Sequence, residues 1–360
     1  MIKVDLINGI KTENPYGFKV YVDEINQLLK EEVEINEILY TPSKSQIVHF
    51  FQRFVEYPLR IMAGKQRGAI KHITTPDLAY LLNMFRFRNC LINVYDVTFL
   101  ERIKDYNIVV RFLLRLNVMG IKKAKHIVTL SEYSKRDIHE KIGVPLNDIT
   151  IIVPSLNHKV HKKNRSKEIL KKYGVEKKTV VMYVGSEELR QNMDKTLRML
   201  KEIKKDVKDV VLVKVGNPQW SGGRENTLRI IKELGLEKDV IIVPIEDSQS
   251  AESLSKFYNA ADVLVYPCAY TGWGLPPLEA MACGTPVVTS NTTSLPEVVG
   301  DAGIMIKPDD IKAYASAVIK VLKDKKTREK MIKKGLARAK KFTWDASSKK
   351  MLAVYKRLDS

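Results

Sequence analysis

The 360-residue chain has only three cysteines, Cys90, Cys268 and Cys283. An odd number without CxxC spacing excludes a disulfide framework or a zinc ribbon and fits a reducing compartment, where all three serve as structural thiols. No apolar run approaches the roughly 18–20 residues needed to span a bilayer. Met1 to Gly9 reads as a strand and turn, not a cleavable signal, so the expectation is a cytoplasmic protein. The six histidines, at positions 49, 72, 126, 139, 158 and 161, show no HExxH or other ligand spacing. There is no Asp-x-Asp pair and no GxGxxG fingerprint, and no repeat of about 20–50 residues suggests a solenoid. Acid is scarce: 42 Asp and Glu against 61 Lys and Arg leave a net charge of +19. That imbalance points to an anionic partner, whether nucleic acid, acidic lipid headgroups or phosphorylated small molecules. Nucleic acid is the weakest of these, because the basic residues spread over both halves of the chain and no zinc-finger, RRM or helix-turn-helix pattern accompanies them. A lysine excess with abundant Glu and Ile also occurs in heat-adapted proteins.

What is present is ordinary globular material, 44% hydrophobic and 29% charged, at about twice the length of a common domain. Ile2 to Ile7 reads as a strand, a loop runs to Gly17, and Phe18, Val22, Ile25 and Leu29 then recur at helical spacing, the first βα unit of an α/β domain. Further strand-like runs fall at Ser45–Phe50, Cys90–Val94 and His126–Leu130. His49 then ends a strand, with a structural role favoured over a place in a ligand cleft. Between Val153 and Tyr173 the apolar pattern lapses into a lysine-rich stretch whose only acid is Glu168. After it, strands recur at Val180–Val184, Val210–Val215, Val240–Val243, Asp262–Tyr266, Pro286–Thr289 and Gly303–Ile306. Two α/β domains with parallel sheets follow, 1–155 and 156–344.

The richest stretch runs from Tyr258 through Thr271-Gly272-Trp273-Gly274-Leu275-Pro276-Pro277-Leu278-Glu279 to Gly284-Thr285-Pro286. A strand ends at Tyr266, glycines let the backbone approach a ligand, and a helix starts near Pro276, where a missing N–H costs nothing. A loop entering a helix N-terminus at the C-terminal edge of a parallel sheet is an anion site. Glu279, one turn in, is placed to accept hydrogen bonds from vicinal hydroxyls such as those of a ribose.

This string resembles the family 4 retaining glycosyltransferases of glycosyl transferases group 1. So do Ser131-Glu132-Tyr133-Ser134-Lys135, the run Tyr183 to Asn192, Ser294-Leu295-Pro296-Glu297 through Gly303, and the closing Phe342-Thr343-Trp344-Asp345 with Val354-Tyr355. The resemblance implies the GT-B fold, two Rossmann-like domains whose sheets face a central cleft, with the terminal helix 345–360 crossing back onto the first domain. It also implies transfer of a sugar from a nucleotide-sugar donor to a glycan or lipid-linked acceptor, without a metal or other cofactor. Glu279 then binds the donor ribose. Gly17, Gly185, Ser186, Gln191, Thr271, Gly272, Trp273, Gly274 and Leu275 serve the donor's sugar and diphosphate.

Three positions depart from the family pattern. Thr271 stands where a glutamate usually meets the donor sugar, Gln191 where a lysine neutralises the diphosphate, and Tyr95 where a histidine lies near the transferred sugar. Arg190 and Lys214 are candidate substitute cations, so the catalytic set read from the sequence is Arg190, Tyr95 and Lys214. A catalytically silent scaffold that binds a nucleotide, glycan or partner enzyme is the alternative. Finally, residues 44–125 hold 15 basic against 5 acidic side chains. Arg111 to Lys123 reads as a basic amphipathic helix, suited either to an anionic membrane surface or to covering the domain core.

Overall fold

In a computed structural model the described residues are all except 11–17, 41, 42, 44, 102, 164, 165 and 220, and except the side chains of 9, 10, 18–20, 46, 47 and 105. The chain divides into two compact units, residues 1–155 with 343–360, and residues 156–342.

The first unit has six strands: β1 Ile2–Ile10, β2 Val33–Tyr40, β3 Ile70–Ile73, β4 Cys90–Asn93, β5 His126–Thr129 and β6 Ile149–Ile151, in the order β2-β1-β3-β4-β5-β6. The second has β7 Thr179–Val184, β8 Val210–Val215, β9 Val240–Ile242, β10 Val263–Tyr266, β11 Val287–Ser290 and β12 Ile304–Ile306, ordered β12-β11-β10-β7-β8-β9. Every pairing is parallel. A parallel sheet needs crossover helices, which cover both faces and make its strands continuous apolar runs. Thr179-Val-Val-Met-Tyr-Val is such a run, and it packs on Leu197 and Leu200 of the helix Met193–Asp206. In each sheet the strand order reverses once, between β1 and β3 and between β7 and β10, and a reversal opens a crevice at the strands' C-terminal ends.

Strands β2, β3 and β6 are absent from the runs read in the sequence: β2 and β3 are mixed in composition, and β6 is only three residues long. β3 reads Ile70-Lys71-His72-Ile73 and is buried throughout, with Lys71 Nζ held 2.7 Å from Asp5 Oδ2. The strand expected at Ser45–Phe50 is a correction: Gln46–Phe51 is a helix, followed by a π turn and the helix Tyr57–Gly64. Tyr57 and Ile61, four apart, bury one face, and a short apolar run cannot by itself distinguish helix from strand. His49 therefore sits on a helix, where Nε2 lies 3.2 Å from Tyr40 Oη.

The helix Trp344–Asp359 completes the first unit. Ser347 Oγ donates to Val153 O at 2.6 Å, and Trp344 packs on Tyr21 with ring centroids 6.0 Å apart. Tyr355 Oη meets His72 Nδ1 at 2.7 Å, and His72 Nε2 meets Asn93 Oδ1 at 3.0 Å. Burial lowers the His72 pKa to about 4 against the opposing effect of the Asn93 hydrogen bond, so the ring is neutral in the folded protein.

That depression sets a sign. An unfolded histidine takes up a proton below about pH 6.5, whereas folded His72 resists until about pH 4, so His72 favours folding fully above pH 6.5 and loses this contribution as the pH falls to 4. The loss reaches about 3 kcal/mol. Urea unfolding at a series of pH values is expected to show a shallower stability slope between pH 6.5 and 4 in His72→Gln than in the parent. Equal slopes would remove His72 as the source.

Candidate functional site

The reversal between β7 and β10 brings two loops to one edge of the second sheet, 185–192 after β7 and 267–274 after β10. Two short hydrogen bonds tie them: Ala269 N–H donates to Arg190 O at 2.8 Å, and the Asn192 side chain donates from Nδ2 to Pro267 O at 2.7 Å. Beside them Gly216, at φ +112°, closes β8 against Gly185, where a Cβ would come within 2.6 Å of Gly185 O.

The loop Thr271–Leu275 is oriented from behind. Ser294 stands at the N-cap position of the helix Leu295–Val299, yet its Oγ does not cap. It lies 2.9 Å from Thr271 O and 2.7 Å from Trp273 O, so one hydroxyl proton is shared between two carbonyls. In a trans peptide the N–H points opposite to the C=O, and the amides of Gly272 and Gly274 are thereby turned away from Ser294. Among the described residues the backbone amides of Gly272, Trp273, Gly274 and Leu275 donate no hydrogen bond. Gly274 holds φ +110°, and a Cβ there would meet Leu295 Cδ2 at 2.7 Å, so only glycine fits. Thr271 is buried, with its N–H donated to Thr293 Oγ1 at 3.3 Å. The Trp273 ring packs edge-on against Phe342 with centroids 5.4 Å apart.

Leu275 opens the helix Leu275–Ala282, in which Pro276 and Pro277 have no N–H. The donors at this helix end therefore come from the glycine loop. Partly buried Glu279 follows one turn in. Its Oε2 accepts from Tyr258 Oη at 2.7 Å, and among the described residues Oε1 receives no hydrogen bond. Burial raises the Glu279 pKa, and the Tyr258 bond partly opposes that.

The cations are arranged differently from the sequence expectation. Arg190 bridges the loops: Nη1 donates to Tyr270 O at 3.0 Å and Nη2 pairs with Glu188 Oε2 at 2.8 Å. Gln191 is only 6% exposed, its Oε1 3.5 Å from Tyr183 Oη. Ser186 is also buried, with its carbonyl accepting from Tyr183 Oη at 3.0 Å. Lys214 lies fully enclosed on β8, its Nζ 2.7 Å from Glu187 Oε1 and 2.5 Å from Gly216 O. Desolvation lowers its pKa while Glu187 pulls the other way. Arg224 Nε reaches the same Glu187 oxygen at 2.8 Å and remains 31% exposed. One carboxylate thus compensates two cations beneath the loop.

Tyr95 belongs to the first unit. Its Oη donates to Thr74 O at 2.7 Å and accepts from Asn93 Nδ2 at 3.2 Å, extending the His72 network to the C-terminal end of β4. Gly17 lies outside the described residues. The other sequence-selected residues, Gly185, Ser186, Arg190, Gln191, Lys214, Thr271 to Leu275 and Glu279, gather around one sheet edge of the second unit. Ser294, Tyr258, Glu187 and Arg224 were not selected from the sequence. The first three lie within or beside motifs noted there, but their roles depend on contacts with residues 21 to 37 positions away. Among the described residues no group of three or more His, Cys, Asp or Glu is placed to hold a metal ion.

Two units, each a six-stranded parallel sheet with crossover helices, match the GT-B class of fold. The structure of Anabaena Alr3699/HepE in complex with UDP-glucose shares this fold, with a TM-score of 0.80 over 99% of this chain and 100% of that one at 14% identity. Residues 165–338 match the model of the family described as Glycosyl transferases group 1. The chain is 33% identical over 253 residues to O-antigen chain mannosyltransferase B of Escherichia coli, a match spanning 69% of this chain and 65% of that relative. It is 28% identical over 319 residues to O-antigen chain mannosyltransferase RfbU of Salmonella typhimurium, covering 83% and 79%.

Tyr258→Phe removes the one hydrogen bond that lowers the Glu279 pKa, so the carboxyl is expected to titrate at a higher pH in the variant. Carboxyl-carbon NMR of Glu279 checks this. An unchanged titration midpoint would mean that Tyr258 does not set its charge.

Proposed function

We propose that this protein is a family 4 retaining glycosyltransferase that moves a sugar from a nucleotide-sugar donor to a glycan or lipid-linked acceptor. Mannose is the sugar proposed, since both relatives named above are mannosyltransferases. The observation that carries the proposal is the row of four unengaged amides from Gly272 to Leu275, one helical turn from Glu279. Four N–H groups at a helix end suit a diphosphate, and a carboxylate with a free oxygen suits a ribose diol. In the reaction the bond from the anomeric carbon to the diphosphate oxygen breaks and the acceptor oxygen bonds to the same face, its proton passing to the departing phosphate. Charge grows on the leaving oxygens, where fixed donors stabilise it most. Arg190 is the cation assigned to that charge. Lys214 and Glu187 act beneath it as positioning residues, and no metal is required.

The catalytically silent alternative has its own support. Gln191 is turned inward, Lys214 is neutralised by Glu187, and the Tyr95 hydroxyl is engaged with Thr74. A panel of nucleotide sugars separates the two readings. Release of nucleoside diphosphate, faster with acceptor and abolished by Arg190→Ala, supports the transferase, whereas nucleotide binding without turnover supports the scaffold. Glu279→Ala is expected to weaken nucleoside diphosphate binding by about 1–3 kcal/mol in calorimetry. Unchanged affinity for UDP and GDP would take Glu279 out of the site.

We assign the acceptor side to the cytoplasmic face of an anionic membrane. Among the described residues no helix is long and apolar enough to cross a membrane. Instead Phe50, Phe51, Val55 and Leu59 are exposed on the segment 46–64, and Ile108, Val109 and Phe112 on the helix Ile108–Ile121. A cavity of 340 Å³ lined by residues of both segments, Phe54 and Leu113 among them, places them side by side. Arg60 and Arg115 are exposed within these segments, the combination an interfacial helix requires. Sedimentation with anionic but not neutral vesicles is expected, with release as salt shortens the Debye length from about 10 Å at 0.1 M to about 3 Å at 1 M. Reversing Arg111, Arg115, Lys122 and Lys123 is expected to abolish it. Equal sedimentation with both vesicle types, or none, would leave a soluble acceptor.

A further inference from the structure

We infer a second ligand site in the first unit, for a multiply charged phosphate-bearing anion, at the edge of the sheet where the strands begin. A cavity of 660 Å³ opens there between the segment leading into β3, the segment leading into β4 and the residue before β5. Lys65, Arg67, Arg86, Arg88 and Lys125 line it, and Asp359 is the only acidic side chain among the lining residues. A sixth cation, Lys71, is committed to the fold: its Nζ pairs with Asp5 and donates to Gln66 O at 3.0 Å and Ala69 O at 2.9 Å. It holds the loop that carries Arg67.

Several cations elsewhere in the unit are paired. Arg53 pairs with Asp77, Arg60 with Glu56, and Lys141 with both Asp137 and Glu101. Among the described residues Arg67, Arg86 and Arg88 have no carboxylate within ion-pair distance and no hydrogen-bond acceptor. Lys125 has only the Asn89 amide oxygen, at 3.3 Å, and Lys65 only the Met62 sulfur, at 3.5 Å. Like charges around a concavity with low-dielectric walls focus a positive potential into it. Phe87, which lines the cavity and packs on Phe85, supplies part of such a wall. Guanidinium groups present parallel N–H pairs that match phosphate oxygens, and a bound phosphate removes the mutual repulsion of the five cations. The volume is that of a small-molecule pocket. Arg88 precedes β4 and Tyr95 follows it, so a strand's length separates this cavity from the edge that carries Tyr95.

Hydrogen exchange on the full chain, read by mass spectrometry, tests the assignment with pyrophosphate as the probe. Pyrophosphate is expected to slow exchange saturably in peptides covering 64–70 and 85–90. Arg67→Ala, Arg86→Ala and Arg88→Ala together are expected to raise the concentration for half-protection at least about tenfold, the loss of one charge-assisted hydrogen bond or more. A variant in which Lys312, Lys330 and Lys333, exposed on the second unit, become Ala loses the same charge and is expected to keep the parent's protection. A parallel arm with phosphatidic acid vesicles identifies the source. Protection by vesicles alone assigns the phosphate to a lipid headgroup, and protection by pyrophosphate assigns it to a free anion. No protection with either, protection that survives the arginine changes, or an equal loss in the lysine variant would overturn the site.

Discussion

A peptide group cannot present its N–H to a ligand without burying its C=O on the other side, and a buried carbonyl needs a donor. The candidate site of the second unit depends on how that constraint is met. Ser294 supplies one hydroxyl to two carbonyls of the glycine loop, so the loop's amides face away from it. Gly274 holds φ +110°, and Leu295, the next residue after Ser294, leaves no room for a Cβ there, so the turn that supplies the hydroxyl also packs on the loop. Glu279 is held on the first helical turn beyond by Tyr258, whose carbonyl in turn accepts from Thr285 Oγ1 at 2.6 Å. The glycine loop and Glu279 are thus both held by buried partners, Ser294 and Tyr258.

The strong positive charge divides into cations that the fold uses and cations that it leaves. Burying a charge is costly unless a partner and further hydrogen bonds accompany it. Lys214 and Lys71 satisfy this in the same way, each on an inner strand, each paired at 2.7 Å with a fully enclosed carboxylate and each donating to a nearby loop carbonyl. These lysines tie loops to sheets. Arg67, Arg86 and Arg88 are the opposite case, clustered in a concavity with no carboxylate in ion-pair reach of them, where repulsion is relieved by solvent or by a bound anion.

Much of the fold was legible in the sequence where strands were continuous apolar runs, although the three-residue β6, Ile149–Ile151, was passed over. All six strands of the second sheet coincide with runs read from the sequence, since both faces of a parallel sheet are covered and every position favours an apolar residue. The first sheet was read less well. β2 carries Glu34 and Glu37 on the sheet's edge, and β3 hides Lys71 and His72, so neither shows an apolar pattern. At Ser45–Phe50 the signal was present but its period was misjudged, because the helical spacing emerges only with Tyr57 and Ile61.

By itself the sequence determined the site's chemical inventory: a glycine loop, two prolines to start a helix, and an acid one turn further on. These are local properties, encoded by conformational preference over a few adjacent residues. Tertiary structure alone decided which of those groups are available. Lys214 and Gln191 look alike as polar residues near strand ends, yet one is neutralised by Glu187 and the other is packed beside Tyr183 and Tyr266. The amides of Gly272 and Gly274 are turned outward because Ser294, some twenty residues later in the chain, grips the carbonyls of their peptides. Availability is a matter of partners, and partners are brought together by the sheet order, which no short stretch of sequence contains.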